Sequence, residues 1–414
     1  MKKNDSNLMY CKTAGLYGVV VGTVLALAAC GGSSGGGGDE NGDGSASEGD
    51  DAGSASFSAT ELQTNTADTV IAGIYDEQAT QAQEMEDAVK TLVDEPNNAN
   101  LEAARAEWVD TRIFWERSES FLFGPVDSEG IDPRIDDWPL DESKLDDVLA
   151  GNSADDIDEE LIDSFSNNLR GFHVVEFLLW SDSNDGNDDD DPTDGQDSLE
   201  NVVSALSDAD RAKYLKEATI DLRQQSERLR NAWDPADSEN FGSQLKAAGD
   251  EGNNTFPSQR AAVQQIIDGM IIIADEVGAG KISDPFGGGN NPDPLIVESK
   301  HSFNSRTDFR NNIRGIKHIY LGDFPFQTEG GEDGVGVTDF VQEFGSDTID
   351  QDIRTQIDFA IEQIKEIDQP FRDSISGGSM QRTKVQNAID AVIDLRTKLE
   401  QDVVPLLDEA DFAQ

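Results

Sequence analysis

His173 and Glu176 are the two residues whose types and spacing best suit chemistry. They stand three positions apart in the stretch GFHVVEFLLW, and residues three apart on a helix share one face. An imidazole and a carboxylate on one face can bind a single metal cation. The pair also has a simpler interpretation, a surface or capping histidine. Because 84 of the 414 residues are acidic, a histidine often has an acid three positions later by chance.

The neighbours of this pair favour burial. Phe172, Val174, Val175 and the run from Phe177 to Trp180 surround it with apolar side chains. Buried polar groups need partners. The imidazole and the carboxylate therefore either satisfy each other or hold a ligand between them.

A second stretch, WVDTRIFWERSESFLFG, supplies further candidate ligands. Arg112, Glu116 and Glu119 follow one another at spacings of four and three, so they share a helix face. Carboxylates together with an imidazole suit iron, manganese or zinc, and helical bundles can hold iron with Glu and His side chains that point inward. The alternative is a surface helix that carries an Arg112–Glu116 ion pair.

Helical periodicity dominates the elements that must position these residues. Apolar residues recur at spacings of three and four, and alternating strand patterns are nearly absent. The pattern predicts an all-α fold of two helical bundles, residues 57–235 and 236–414. After a first helix that ends before Pro96, the predicted helices cover about 98–123, 158–180, 197–233, 241–280, 308–320, 337–344, 347–371 and 380–407. The helix over 241–280 contains a weak stretch, residues 252–257, at which it is either broken or continuous.

The first 56 residues predict export and anchoring. Lys2 and Lys3 precede an apolar run of about 15 residues, which is too short to span a bilayer as a helix but suits a signal peptide, residues 1–29. The run ends in Leu-Ala-Ala-Cys, which resembles a lipobox, so we expect lipid on Cys30. The alternative is an ordinary signal peptide. Residues 30–56 are mostly Gly, Ser and acidic residues and predict a disordered linker.

The overall charge excludes one class of partner. A formal net charge of −53 argues against nucleic acid, whose binding needs a cationic surface. Life at high salt is a sufficient explanation for this acidity. Diffuse binding of cations to the surface would therefore carry little meaning.

Four motifs, taken in order, resemble the imelysin family. GFHVVEFLLW is similar to the family's Gly-x-His-x-x-Glu signature. The helix from Trp108 to Phe121 is similar to the family helix that precedes this signature, and WPLD is similar to the segment between the two. Downstream, ESKHSFNSRTDFRNNIRGIKHIYLG is similar to the family's second block. The resemblance implies a two-domain helical fold and a periplasmic or surface-exposed lipoprotein tied to iron acquisition. Family members are also classed as metallopeptidases.

The resemblance also assigns roles to residues. It makes His173 and Glu176 metal ligands, and Glu116 and Glu119 further ligands. Residues of the second block would close the same cleft from the other domain, namely Ser302 and Asp308. His301 stands near the position where the family pattern has a cysteine, and is either an additional ligand or a loop histidine.

Three functions from different classes follow. The first is a membrane-anchored, extracytoplasmic lipoprotein that binds iron, or alternatively zinc or haem, for uptake, together with an iron or haem transport partner. The second is a metallopeptidase at the same site, although the sequence lacks His-Glu-x-x-His. The third is a structural surface protein in which His173 and Glu176 satisfy each other.

Overall fold

The computed structural model describes residues 57–181, 197–324 and 334–412. Within these ranges the chain is helical and contains no β-strand, which confirms the all-α prediction. No helix in these ranges combines the length and the apolar character needed to cross a bilayer. The predicted signal peptide, the lipid site Cys30 and the linker 30–56 lie outside the described residues.

The α-helices of the described ranges are α1 (Ala59–Asn65), α2 (Ala72–Asp94), α3 (Asn98–Ser118), α4 (Pro125–Ser128), α5 (Asp132–Asp136), α6 (Glu142–Gly151), α7 (Glu159–Ser164), α8 (Phe172–Trp180), α9 (Leu199–Ala205), α10 (Ala209–Trp233), α11 (Phe241–Lys246), α12 (Gln259–Asp275), α13 (Ser283–Phe286), α14 (Ser305–Leu321), α15 (Val337–Phe344), α16 (Asp347–Lys365), α17 (Phe371–Ser376), α18 (Ser379–Lys398) and α19 (Leu406–Glu409). Short 3-10 turns occur at Glu119–Phe121, Asn167–Leu169, Gly287–Gly289 and Pro294–Ile296, and π-helical turns at Thr66–Ile71, Glu276–Ile282 and Leu399–Val403.

The helix predicted over 158–180 is interrupted just before His173. Gly171 has φ +78°, a conformation that residues with a Cβ rarely adopt. A Cβ on Gly171 would also lie 2.3 Å from the carbonyl oxygen of Ile135. The preceding helix α7 already ends at Ser164, and Gly171 lies directly before α8, which starts at Phe172 and carries His173 in its first turn.

Two other long predicted helices are also divided, each before a polar N-cap. The division of 241–280, between Lys246 and Gln259, includes the weak stretch 252–257 noted in the sequence. The side chain of Asp208 accepts hydrogen bonds from the backbone of Asp210 and Arg211, and so starts α10 separately from α9. Ser258 caps α12 in the same way, through the backbone N–H of Ala261. Helix α12 has one open side, since Ile272 is 54% exposed.

The candidate site lies where α3 meets α14. Helix α2 packs against both α3 and α10, and α14 packs on α3, α12 and α16. At the crossing of α3 and α14, a Cβ on Gly315 would lie 2.2 Å from the carbonyl oxygen of Arg117, so the two backbones touch. Residues Ala55–Gln414 form one compact unit. The boundary between bundles at residues 235/236 stays a prediction, and helices from both sides of it contribute to the site.

Candidate metal site

His173 is buried with both ring nitrogens facing carboxylates. Its Nδ1 lies 3.3 Å from Oε2 of Glu176, and its Nε2 lies 3.0 Å from Oδ1 of Asp136 and 3.8 Å from Oε1 of Glu298. The ring of Trp138 covers it at 4.6 Å between centroids. Burial alone would lower the pKa of His173, but the hydrogen bonds to Asp136 and Glu176 outweigh it and raise that pKa.

The carboxylate of Glu176 mainly accepts hydrogen bonds from other groups of the protein. Its Oε1 accepts hydrogen bonds from the backbone N–H of His301 at 3.2 Å and from the N–H and Oγ of Ser302 at 2.8 and 2.7 Å. Burial would raise the pKa of Glu176, but the hydrogen bond with His173 and these donors lower it to about 2. Glu176 is thus an ionised carboxylate that orients the ring of His173.

Asp136, at the end of α5, was not among the residues predicted for the site. It accepts a hydrogen bond from Nε1 of Trp115 at 2.7 Å and forms an ion pair with Arg112. Burial would raise the pKa of Asp136, but the charge of Arg112 and the hydrogen bond to His173 hold it well below its usual range. Its position two residues before Trp138, next to the WPLD segment, is the one signal in the sequence that could have found it.

Arg112 is a buried cation at the centre of the cluster. Its Nη2 lies 2.6 Å from Oε1 of Glu116 and 2.7 Å from Oε1 of Glu298, and its Nε lies 3.8 Å from Oδ1 of Asp308. The guanidinium also stacks over Phe172, 5.1 Å from the ring centroid. Glu298, the first residue of the second block, therefore connects Arg112 with His173.

Glu116 and Glu119 are buried in the same cluster, but two polar side chains face them. Nζ of Lys281 lies 2.7 Å from Oε2 of Glu119 and 3.5 Å from Oε2 of Glu116. Nδ2 of Asn312 donates to the same two oxygens at 2.6 and 2.7 Å. Burial would lower the pKa of Lys281, but the surrounding carboxylates raise it well above its usual value. Neither Lys281 nor Asn312 was predicted.

The residues predicted from the second block, Ser302, Asp308 and His301, contact different parts of the site. Ser302 lies on Glu176, as described above. Oδ1 of Asp308 accepts a hydrogen bond from Asn304 at 2.6 Å, while its Oδ2 is buried without a hydrogen-bond partner among the described residues. Burial raises the pKa of Asp308 to about 7. Nε2 of His301 lies 3.6 Å from Oε1 of Glu142, and its ring packs on Phe177.

The cluster holds more negative than positive charge. Its permanent cations are Arg112 and Lys281, and six carboxylates give it a formal charge of −4 with His173 neutral. Burial raises the pKa of Glu116 and Glu119, as it does for Asp308. Protons or a bound cation must therefore offset the excess negative charge. The six buried carboxylates are Glu116, Glu119, Asp136, Glu176, Glu298 and Asp308.

Two overlapping groups of three residues could hold a metal ion. One is Asp136, His173 and Glu298, and the other is Glu116, Glu119 and Asp136. In each group, one ligand atom from every residue lies within 4.8 Å of the other two. The first group offers an imidazole and two carboxylates, a donor set that suits iron, manganese or zinc. The second offers carboxylate oxygens alone.

Comparison with known proteins finds relatives that match most of the chain. Residues 71–399 match the family model described as imelysin, peptidase M75. The chain is 30% identical over 345 residues to iron-regulated protein A of Synechococcus elongatus, across 82% of this chain and 84% of that protein.

Two crystal structures are similar over most of the chain. The first, described as an iron-regulated protein A precursor from Parabacteroides distasonis, has 25% sequence identity and a TM-score of 0.71. The similarity covers 86% of this chain and 97% of that protein's chain. An imelysin-like protein from Psychrobacter arcticum has 15% identity and a TM-score of 0.62, with coverage of 85% and 97%, and shares the fold.

Proposed function

This chain belongs to the imelysin family, and we propose that it is a membrane-anchored, extracytoplasmic lipoprotein that binds an iron ion at His173 for uptake. One observation carries the proposal: Nε2 of His173 points at Asp136 and Glu298 inside a buried cluster whose carboxylates outnumber its cations. A cation bound there would offset charge that otherwise requires protons. The relative named iron-regulated protein A supports iron as the ion.

In this proposal the ligands are His173, Asp136 and Glu298, and Glu176 has a supporting role. A metal-binding histidine usually donates its second ring N–H to a carboxylate, which fixes the tautomer and the ring orientation. The contact of Nδ1 with Glu176 fits that pattern and leaves Nε2 as the ligand atom. Glu116 and Glu119 contribute negative charge beside the ion.

The burial of the cluster favours binding of a small ion over the alternatives. A metallopeptidase needs an open position for water and room for a peptide beside the metal, whereas His173 is 1% exposed. Haem ligation would require open space beyond Nε2 for the macrocycle, and here Nε2 lies 3.0 Å from Oδ1 of Asp136. A lipoprotein that carries iron would then pass it to a transport partner in the membrane.

Thermal unfolding with added metal tests the site. The chain from residue 30, with Cys30→Ser, would be unfolded at about 1 M salt, where the Debye length is about 3 Å and diffuse binding is weak. Each run would contain ferrous iron, ferric iron, zinc, haem or no addition. Ferrous or ferric iron is expected to raise the melting temperature by mass action, and His173→Ala is expected to abolish the shift.

His318→Ala is the matched control. His318 is also a buried histidine, but its Nδ1 lies 2.7 Å from the carbonyl oxygen of Asp323, outside the acidic cluster. This variant is expected to lose stability and still respond to iron. Equal small shifts in wild type and His173→Ala would instead mean diffuse binding, and would support a structural role for the His173–Glu176 pair.

The anchor is tested separately by detergent phase partitioning. The full-length protein is expected to enter the detergent phase of Triton X-114, because an acyl chain adds about 0.8 kcal/mol for each buried CH₂ group. Cys30→Ser is expected to move it to the aqueous phase. Equal partitioning of both proteins would contradict lipidation at Cys30.

A further inference from the structure

Lys281 has a buried side chain that none of the roles described above requires. It lies on the π-helical turn Glu276–Ile282 between α12 and α13, and its side chain is 7% exposed. Turns of this type are rare and often occur at functional sites. Burial of a lysine is unfavourable unless its charge is paired, so its surroundings must favour the ammonium form.

Three carboxylates surround the ammonium group. Nζ lies 2.7 Å from Glu119, 3.3 Å from Glu298 and 3.5 Å from Glu116. The side-chain amide of Asn312 fixes two of these carboxylates by donating to both. The lysine thus occupies a position that the protein has built for a positive charge, with oxygen donors on several sides.

This position is linked to the proposed iron site through one residue. Oε2 of Glu298 lies 3.3 Å from Nζ of Lys281, while its Oε1 lies 3.8 Å from Nε2 of His173. The two positions are therefore neighbours that share a carboxylate. A tethered ammonium in one of them excludes a free cation from it, by occupying the space and by electrostatic repulsion.

We propose that the ammonium of Lys281 is a built-in counter-ion that fills a second cation position, formed by Glu116, Glu119 and Glu298, and so limits the cluster to one metal ion. The ion at His173 rests on the proposed function, whereas the second position rests on the contacts of Lys281 alone. Removal of the lysine charge opens a site whose donors are all carboxylate oxygens. Such a site suits hard divalent cations such as Mn²⁺.

The test counts bound Mn²⁺ by electron paramagnetic resonance of the free ion at about 1 M salt, where diffuse surface binding is screened. Four proteins are compared: wild type, His173→Ala, Lys281→Met and the double variant. Wild type is expected to bind one ion and His173→Ala none. Lys281→Met is expected to bind two ions, and the double variant one, held at the second position.

Further variants separate charge from side-chain size. Lys281→Arg keeps the charge and is expected to bind one ion. Lys246→Met removes a lysine that pairs with Asp68 outside the cluster, and is also expected to bind one. Lys281→Gln, which keeps a hydrogen-bond donor, replaces Lys281→Met if that variant loses its helical circular dichroism.

The outcomes distinguish this inference from the proposed function. If Lys281→Met binds one ion and the double variant none, Lys281 does not occupy a second position and the inference is overturned. If wild type binds none but both proteins with Lys281→Met bind one, the inference stands and the iron site at His173 does not.

Discussion

Glu176 orients His173: Oε2 of the carboxylate lies 3.3 Å from Nδ1 of the ring, and this contact turns the other ring nitrogen into the acidic cluster. The carboxylate is itself held, because its second oxygen accepts hydrogen bonds from the loop that carries Ser302. That loop lies more than a hundred residues further along the chain. The orientation of the ring therefore depends on contacts between distant segments of the fold.

Glu176→Gln is expected to weaken metal binding by 10- to 100-fold, the usual range for loss of a group that orients a ligand. The donors of Ser302 and His301 would claim the amide oxygen, so the amide NH₂ would donate to Nδ1 of His173. The proton of the neutral ring would then sit on Nε2 and block it as a ligand. Anaerobic calorimetric titration with ferrous iron measures the affinity.

Glu217→Gln is the control for this variant. Glu217 is another largely buried glutamate, but it pairs with Lys213 on α10, away from the cluster. Its replacement is expected to leave the affinity for iron unchanged. An affinity of Glu176→Gln equal to that of wild type would show that the carboxylate does not set the ring orientation.

Arg112→Met is expected to destabilise the protein by about 3–5 kcal/mol, the usual cost of removing one partner of a buried ion pair. The change leaves Glu116, Glu298 and Asp136 without their nearest cation. Denaturation in urea measures the free energy of unfolding in the absence of metal. A saturating metal ion is expected to restore part of the lost stability, because it binds the folded state.

Arg260→Met serves as the surface control. Arg260 pairs with Asp408, and the two side chains are 43% and 77% exposed. Loss of a solvent-exposed pair is expected to cost about 1 kcal/mol or less. Equal losses in the two variants would mean that the carboxylates around Arg112 are protonated in the folded protein and do not depend on its charge.

The part of the site that follows from local spacing could be predicted from the sequence. His173 and Glu176 share one helical turn, and Glu116 and Glu119 share another, so the order of the residues was enough to group them. Asp136 and Lys281 could not be found in this way. They reach the cluster from short helical segments whose positions depend on tertiary packing.

The helix breaks that shape the site were also hard to predict. Apolar periodicity continues through 158–180, yet Gly171 must adopt a positive φ to pass the backbone of Ile135. Periodicity reports which side chains are buried, but does not report where two backbones touch. The all-α fold was predictable because its signal repeats along the whole chain, whereas a single close contact leaves no pattern.

The stability of the metal-free protein is expected to fall as the pH rises from about 4 to about 7, through the titration of Asp308. Its pKa is about 7 in the folded state and 3.8 in the reference state. In this range the folded state therefore holds a proton that the unfolded state has released, and stability decreases with pH. A single group contributes at most about 1.4 kcal/mol per pH unit.

Asp308→Asn isolates this contribution. The amide carries no charge at either end of the range, so the free energy of unfolding of the variant, relative to wild type, is expected to increase between about pH 5 and pH 7. Urea denaturation in the presence of a chelator measures both proteins at each pH. A constant difference between the two proteins would mean that Asp308 titrates alike in the folded and unfolded states.

Gly171→Ala is expected to reduce both stability and metal affinity. An L-residue at φ +78° is strained by about 1 kcal/mol or more, and the added Cβ would lie 2.3 Å from the carbonyl oxygen of Ile135. Relief of that contact must move the start of α8, which carries His173, away from α5, which carries Asp136.

Gly130→Ala is the matched control, because Gly130 has φ +62° but open space around its Cβ position. Urea denaturation and titration with ferrous iron are expected to show a moderate loss of stability with unchanged affinity for Gly130→Ala, and a larger loss with weakened binding for Gly171→Ala. Equal effects of the two substitutions would show that backbone strain alone is responsible, and that the contact with Ile135 does not position the ligands.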